Sequence, residues 1–449
     1  MAGSRSSHRS SSSDSNTPGS KPDETNPPSS GYFIVTFDQS VVGDQRAVQR
    51  ELKDLTGIRS LAASSEFADG AMALEEVEDE ECLYFNHLGI AAIKSDGDRH
   101  DVLTRASASE ASNVLAVEPD YLARESEPAP AYGIEYLRGY RDAINDLIDK
   151  LIKGGTPESE VAEAAIFADS SSSTWGLQAT KVNLTSLTGR GAKIAVLDTG
   201  LDFNHVDFQN RGIVSKSFVA GESAQDGRGH GTHCAGTIYG PKRPASGRRY
   251  GIAFDAQLLI GKVLSNAGTG WTRQIVAAMD WAVAQSCHVI SMSLGTDTSR
   301  QLIAYGEASK RALDAGCLVV AAAGNNADRP ASTGYVEPPA NSKFAMAVGA
   351  LSRQSRIAPF SARSNAGQDG GKVDIAAPGM AVYSSTPGST YGLKDGTSMA
   401  TPHVAGIAAL WYEKTQKRGR DLFAALQTSA ASLSGVDSLD CGAGLVQAP

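Results

Sequence analysis

A chain of 449 residues is long enough for about three domain-sized units, and a hydrophobic content of 41% is ample for a buried core. A formal net charge of −9 argues against a nucleic-acid binder, and no apolar run approaches the ~20 residues that a membrane helix needs. The five cysteines, Cys82, Cys234, Cys287, Cys317 and Cys441, are an odd number without tight spacing. That argues against a disulfide scaffold and, with a Ser-rich N-terminus lacking an apolar signal core, favours an intracellular compartment while leaving secretion open.

Residues 1–30 are dominated by Ser, Pro, Asn and Asp and are expected to be disordered. Gly31-Tyr32-Phe33-Ile34-Val35-Thr36-Phe37 then opens as a strand, and residues 46–55 have a helical pattern. Residues 83–85 and 89–93 read as strands, and a second helical pattern precedes a strand over 114–121. The order β-α-β-β-α-β builds a small α+β, ferredoxin-like sandwich with both helices on one face of the sheet. The acidic run from Glu75 to Glu81 inside it reads as a solvated loop. Residues 126–174 form a long linker, in which Ile144, Leu147, Ile148, Leu151 and Ile152 give 135–153 the spacing of an amphipathic helix.

From Trp175 onward, short apolar runs at 192–197, 258–263, 289–294, 318–323 and 344–349 alternate with helical patterns at 272–285 and 300–315. That alternation calls for an α/β unit whose parallel sheet is covered on both faces. The first run delivers Asp198 to the C-terminal edge of the sheet, where open α/β sheets place their chemistry. In Gly227-Arg228-Gly229-His230-Gly231-Thr232-His233-Cys234-Ala235-Gly236, the glycines and the small residues after them put His230 at a helix start. His233 makes a short His-x-x-His with it, without the Glu or paired cysteines of a zinc site, and reads as a packed helix residue. Cys234, four residues after His230, falls one helical turn along, beneath the imidazole.

Asp395-Gly396-Thr397-Ser398-Met399-Ala400-Thr401-Pro402-His403 places a serine where a turn gives way to an apolar helix. Unpaired N–H groups and the helix dipole favour negative charge there. A serine hydroxyl needs a base and an orienting carboxylate to act as a nucleophile, and His230 and Asp198 supply those types upstream.

The order Asp198, His230, Ser398 and the wording around each resemble the subtilisin-like serine peptidases, the subtilases, with the His230 segment most similar to the proteinase K branch. The resemblance covers about 275 positions, 175–449, and implies a peptidase domain there. It makes Asp198 the orienting carboxylate, His230 the general base and then acid, and Ser398 the nucleophile. Asn325 falls on the family's oxyanion-hole asparagine, which would join the Ser398 N–H in an interaction worth roughly 3 to 4 kcal/mol of barrier. The family's substrate-binding edges match Ser293-Leu294-Gly295 and Gly268-Thr269-Gly270, with Ala322, Ala323 and Gly324 as one wall of the pocket for the side chain before the cleaved bond. Asp374 matches an aspartate that ligates calcium together with carbonyls, here near Pro339 and Asn341. Asp207 matches a second calcium position, but Pro241-Lys242-Arg243-Pro244 brings opposing positive charge to it.

Residues 31–125 resemble the family's inhibitory prodomain. The resemblance thus implies a monomeric, self-processing endopeptidase that acts on polypeptides, needs no cofactor for the chemistry and has its own prodomain as an intramolecular inhibitor. The competing readings are a dedicated processing peptidase or transpeptidase, and a catalytically silent peptide-binding homologue.

Overall fold

Strand β1 (Tyr32–Phe37) is apolar at successive positions because both of its faces are covered. A computed structural model of the chain describes residues 30–126 and 167–449, apart from positions 71, 73, 366, 368 and 369. The tail expected to be disordered and the helix expected over 135–153 therefore lie outside the described residues. β1 pairs antiparallel with β4 (Ile90–Lys94) and with β5 (Val114–Pro119), and β3 (Cys82–Phe85) lies beyond β4. Phe33, Val35 and Phe37 pack on Val48, Leu52 and Leu103 of the helices Gln45–Thr56 and Gly97–Ala106. The first of these helices is fixed at both ends by local chemistry. Asp44 accepts from the Ala47 N–H at 2.9 Å, and Gly57 takes the left-handed conformation at φ 71°.

Two features depart from the expected β-α-β-β-α-β order. A short strand, β2 (Leu61–Ala63), adds to the sheet edge parallel to β3, giving the order β2-β3-β4-β1-β5. The segment expected as one strand over 114–121 ends at Pro119, and the chain resumes as β6 (Leu122–Glu125), which leaves this sheet altogether.

The larger unit holds a seven-stranded parallel sheet. Its strands are β7 (Lys193–Asp198), β8 (Val214–Ser217), β9 (Gln257–Lys262), β11 (Val289–Met292), β13 (Leu318–Ala322), β14 (Ala345–Leu351) and β15 (Ile375–Pro378), in the order β15-β14-β13-β11-β7-β9-β8. Within β7, Ala195 and Leu197 face the helices Thr272–Ala284 and Ile303–Asp314, whereas Ile194 and Val196 face His230–Tyr239, Thr397–Thr415 and Gly419–Ser429. Cover on both faces is why the central strands read as continuous apolar runs. The run at 289–294 is not one strand. β11 stops at Met292, and Leu294–Gly295 turns out as β12 to pair with β6. The hairpin of β16 (Val382–Thr386) and β17 (Thr390–Lys394) had no counterpart in the sequence reading. Residues 442–448 form only isolated bridges, from Leu445 to Ala376 and to Ala431.

The two units share one apolar core. Ile34, Leu83, Phe85 and Ala92, on the outer face of the small sheet, cluster with Ile275, Met279, Ala304 and Ala308 of the larger unit. Polar contacts register the join. Glu118 accepts from the N–H groups of Ile303 (2.9 Å) and Ala304 (2.8 Å), and Asp120 accepts from the Arg273 N–H (3.0 Å). These open the helices Ile303–Asp314 and Thr272–Ala284, whose own N-cap residues, Leu302 and Trp271, make no side-chain capping bond. The small unit thus caps two helices of the large one. Arg311, almost fully buried, reaches back to the carbonyls of Phe37 (2.6 Å), Gly89 (3.2 Å) and Leu88. Glu118→Ala should destabilise the join by about 1 kcal/mol. Denaturant unfolding measures this, with the exposed Leu115→Ala as the unaffected control.

Candidate active site

Asp198 ends β7 with its side chain buried. Its Oδ1 accepts from the Thr199 N–H at 2.7 Å and from His230 Nδ1 at 2.7 Å. His230 opens its helix immediately after Gly229, whose φ of 94° is the left-handed turn that glycine permits. Burial works against a charged imidazole, but the Asp198 carboxylate outweighs it and raises the His230 pKa well above 6.5. With Nδ1–H committed to Asp198, Nε2 is left to accept a proton, and it has no hydrogen-bond partner among the described residues.

Asp226, which the sequence reading did not single out, holds this corner. Its Oδ1 accepts from the N–H groups of Arg228 (2.9 Å) and Gly229 (2.8 Å) and from Thr199 Oγ1 (2.9 Å). Its Oδ2 accepts from the Thr232 N–H (2.9 Å) and Oγ1 (2.7 Å). Burial pushes this carboxyl up, yet the hydrogen bonds win and hold it below its ordinary value.

Ser398 is the second residue of the helix Thr397–Thr415. Its Oγ donates to the carbonyl oxygen of Ser126 at 2.5 Å and lies 3.2 Å from that of Ser293, so it is not engaged with His230. Asn325 Oδ1 accepts from the Thr397 N–H (2.9 Å) and Oγ1 (3.0 Å), which orients the amide so that Nδ2 donates to the same Ser126 oxygen. The Ser398 N–H, expected to share in that role, makes no hydrogen bond to this oxygen among the described residues.

Ser126 arrives on β6, which runs as a strand between the two expected edges. Arg124, Ala123 and Leu122 pair with β10 (Thr269–Trp271), and Glu125 and Arg124 pair with β12. The Glu125 N–H donates to Gly268 O at 3.0 Å and the Ser126 N–H to Ser293 O at 3.4 Å. Close approach explains the small residues. A Cβ on Gly270 would stand 2.0 Å from Val263 O, and one on Gly268, at φ +81°, 3.0 Å from the Glu125 carboxyl carbon. Arg228 pairs with Glu125 through Nε at 2.7 Å. Ala322 and Ala323 are buried at the end of β13, and Gly324 follows at φ +121°. Glu337, another residue without a motif to mark it, lies against both Gly295 and Gly324.

His233 is not a ligand beside His230. Its Nε2 bonds Val382 O at 2.9 Å, and burial lowers its pKa to about 3. Cys234 does lie beneath the imidazole, with Sγ 3.9 Å from His230 Nδ1 and 3.5 Å from Ser398 O. All five cysteines are free and buried. Asp374 Oδ2 accepts from the Ala347 N–H at 2.9 Å, while among the described residues Oδ1 has only Gln427 Nε2 at 3.5 Å, and burial pushes the pKa to about 7. Asp207 is satisfied by protein donors, the Ala245 N–H (2.9 Å) and the hydroxyls of Tyr250 (2.6 Å) and Tyr391 (2.9 Å). Among the described residues, no helix is long and apolar enough to cross a membrane.

A sequence profile of the subtilase family matches residues 189–444. An alkaline protease of Alkalihalobacillus alcalophilus is 35% identical over 397 residues, covering 87% of this chain and 94% of the relative. Subtilisin Savinase of Lederbergia lenta is 41% identical over 279 residues, covering 61% of this chain and 96% of its own. Among solved structures, a cold adapted subtilisin-like serine proteinase superposes with a TM-score of 0.51 at 31% identity, covering 59% of this chain and 91% of that one. The large parallel sheet and these likenesses across most of the chain make the protein a member of the subtilase family, a serine protease with a subtilisin-like fold.

Proposed function

We propose that the chain is a self-processing zymogen of a monomeric serine endopeptidase. Residues 31–125 are its inhibitory domain, 126–174 its linker and 175–449 its peptidase domain. The observation that carries this reading is the Ser126 carbonyl, whose oxygen meets both Ser398 Oγ and Asn325 Nδ2 while its chain is hydrogen-bonded into the groove as an added strand. The bond cut in maturation is then Ser126–Glu127.

The chemistry follows from the atoms present. Ser398 Oγ turns from the Ser126 oxygen, attacks the carbonyl carbon and passes its proton to His230 Nε2, while Asp198 holds Nδ1–H and stabilises the imidazolium. The carbonyl oxygen becomes an oxyanion, to which Asn325 Nδ2 and the Ser398 N–H donate as the carbon turns tetrahedral. Collapse breaks the C–N bond, and the Nε2 proton leaves with the amine of Glu127. Water then gives a proton to Nε2 and attacks the ester, releasing the Ser126 carboxylate and restoring the Ser398 hydroxyl. Other polypeptides enter the same way once the first segment has left. An amine in place of that water would give transpeptidation, which the masses of the products distinguish.

Within the family, the wording from Gly229 to Gly236, with Cys234 under the imidazole, supports a place near the proteinase K branch. The calcium proposed at Asp374 is structural, and no step passes through it. In its support, Oδ1 is partly buried and, among the described residues, held only by the long Gln427 contact, leaving a carboxylate oxygen for a cation that prefers oxygen ligands.

The wild-type protein should release a fragment beginning at Glu127, whereas Ser398→Ala should stay at full length and lose fluorophosphonate labelling. N-terminal sequencing and gel fluorescence report both, and labelling that survives the substitution would end the assignment. Because His230 must be neutral to accept the proton and Asp198 raises its pKa, activity on an uncharged peptide should rise with pH to a half-maximum above 6.5. A pH–rate profile of kcat/KM with its half-maximum below that value would contradict it. Stripping calcium with EGTA should lower the Tm of the wild type by several degrees and leave Asp374→Asn unmoved. Equal Tm values with and without EGTA in the wild type would reduce Asp374 to a turn anchor.

A further inference from the structure

Glu337 is an acidic side chain that the fold brings against both walls of the pocket for the residue preceding the cleaved bond. A Cβ added at Gly295 would lie 2.2 Å from its Oε2, and one at Gly324 would lie 3.1 Å from its Cδ. The carboxylate therefore spans the gap between the edge that starts at Ser293 and the wall that starts at Ala322. It is built in from behind. Its N–H donates to Ala323 O at 3.0 Å, and its Oε1 accepts from Asn326 Nδ2 at 2.6 Å. Asn326 is in turn fixed by Tyr335, whose carbonyl accepts from Nδ2 at 2.9 Å and whose N–H donates to Oδ1 at 2.8 Å. Among the described residues Oε2 receives no such bond, although the side chain is largely withdrawn from water. Ser126, the residue now at the pocket, does not use it, because its hydroxyl turns to Asn325 Nδ2 at 3.2 Å.

From this geometry we propose that Glu337 selects a cationic side chain, lysine or arginine, at the position before the cleaved bond in the released enzyme. The inference rests on the endopeptidase reading above. A carboxylate with one oxygen anchored on Asn326 and the other without a donor among the described residues, set against Gly295 and Gly324, is matched by an ammonium or guanidinium that forms a charge-assisted bond. An uncharged side chain would instead leave that oxygen desolvated and unpaired. The self-cleaved segment ends in Ser126, so its recognition comes from strand pairing and from the Glu118 and Asp120 caps, not from this pocket. Maturation and substrate choice thus draw on different contacts.

The charge of Glu337 depends on its surroundings. Burial pushes its pKa up to about 7, the Asn326 bond lowers it, Asp297 on the edge loop raises it, and Arg124 on β6 lowers it. When β6 departs, Arg124 goes with it and Asp297 remains. Selectivity for lysine should therefore switch on as pH rises through neutrality.

The test uses the matured wild-type enzyme and Glu337→Gln on peptides that differ only in Lys, Arg or Leu before the scissile bond. The ratio of kcat/KM for Lys over Leu cancels the His230 titration, which both substrates share. It should exceed one, rise between pH ~6 and ~8 and fall roughly 10- to 100-fold in Glu337→Gln. Should the variant fold poorly, n-butylammonium can be titrated as a competitor of the Leu peptide in the wild type. It should inhibit more strongly at pH 8 than at pH 6. A Lys-to-Leu ratio that is flat with pH, or no competition, overturns the role of Glu337 while cleavage of the Leu peptide leaves the endopeptidase reading standing. Failure of the wild type to cleave any of the peptides overturns both.

Discussion

The Asp226 carboxylate is the tie on which the geometry of the site depends. The start of the His230 helix leaves N–H groups without helical partners, in a place closed to water. Asp226 takes those of Arg228, Gly229 and Thr232, and it also takes the hydroxyls of Thr232 and Thr199. Thr199 follows Asp198 directly, and its Oγ1 accepts from the Gly231 N–H at 2.8 Å. One side chain therefore fixes the distance between the strand end that carries the carboxylate and the helix start that carries the imidazole. Lys262, fully buried, extends the tie. Its ammonium donates to Thr199 O (2.6 Å) and to Asn266 Oδ1 (2.9 Å), with Glu222 as its counter-charge at 3.2 Å. Asn266 Oδ1 also accepts from the Gly227 N–H at 2.9 Å, which joins the loop before His230 to the loop that leads into Gly268.

A second tie follows from a missing donor. Pro402 has no N–H, so the carbonyl of Ser398, four residues earlier, has no partner within its own helix. Ser293 Oγ fills the place at 2.8 Å, and Cys234 Sγ approaches at 3.5 Å. Ser293, which precedes β12, and the helix that carries His230 are thereby both fastened to Ser398. A helix flaw thus becomes the joint between Ser398, the His230 helix and the groove that holds β6.

Under the zymogen reading, the N-terminal unit engages these parts as a substrate would. Its sheet buries one face on its own helices and the other on the larger unit, so β1 is apolar apart from Thr36. Its two acidic caps and the Arg311 contacts hold it in register at the far end, and β6 then carries Ser126 to Ser398. Under the zymogen reading, affinity resides in that broad packed surface and reactivity in a single carbonyl. A cut product can then remain bound.

The sequence alone determined whatever is decided within one turn or one strand. Asp198 at a strand end, His230 after a left-handed glycine and Ser398 at a helix start are written in contiguous residues, because strand termination and helix initiation are local matters of backbone freedom and unpaired N–H groups. The parallel sheet was legible for a related reason, since strands covered on both faces lose the alternation that exposed ones keep. Tertiary structure alone decided which distant groups meet. Ser126 stands 272 residues from Ser398 in the chain, and nothing near it signals that its carbonyl will be held there. The break of the 289–294 run at Ser293 is likewise set by β6, a partner from the other unit. Glu337 reads as an ordinary acid before two prolines until the fold sets it between Gly295 and Gly324. Its burial, and hence its charge and the chemistry open to it, is a property of packing that no local pattern carries.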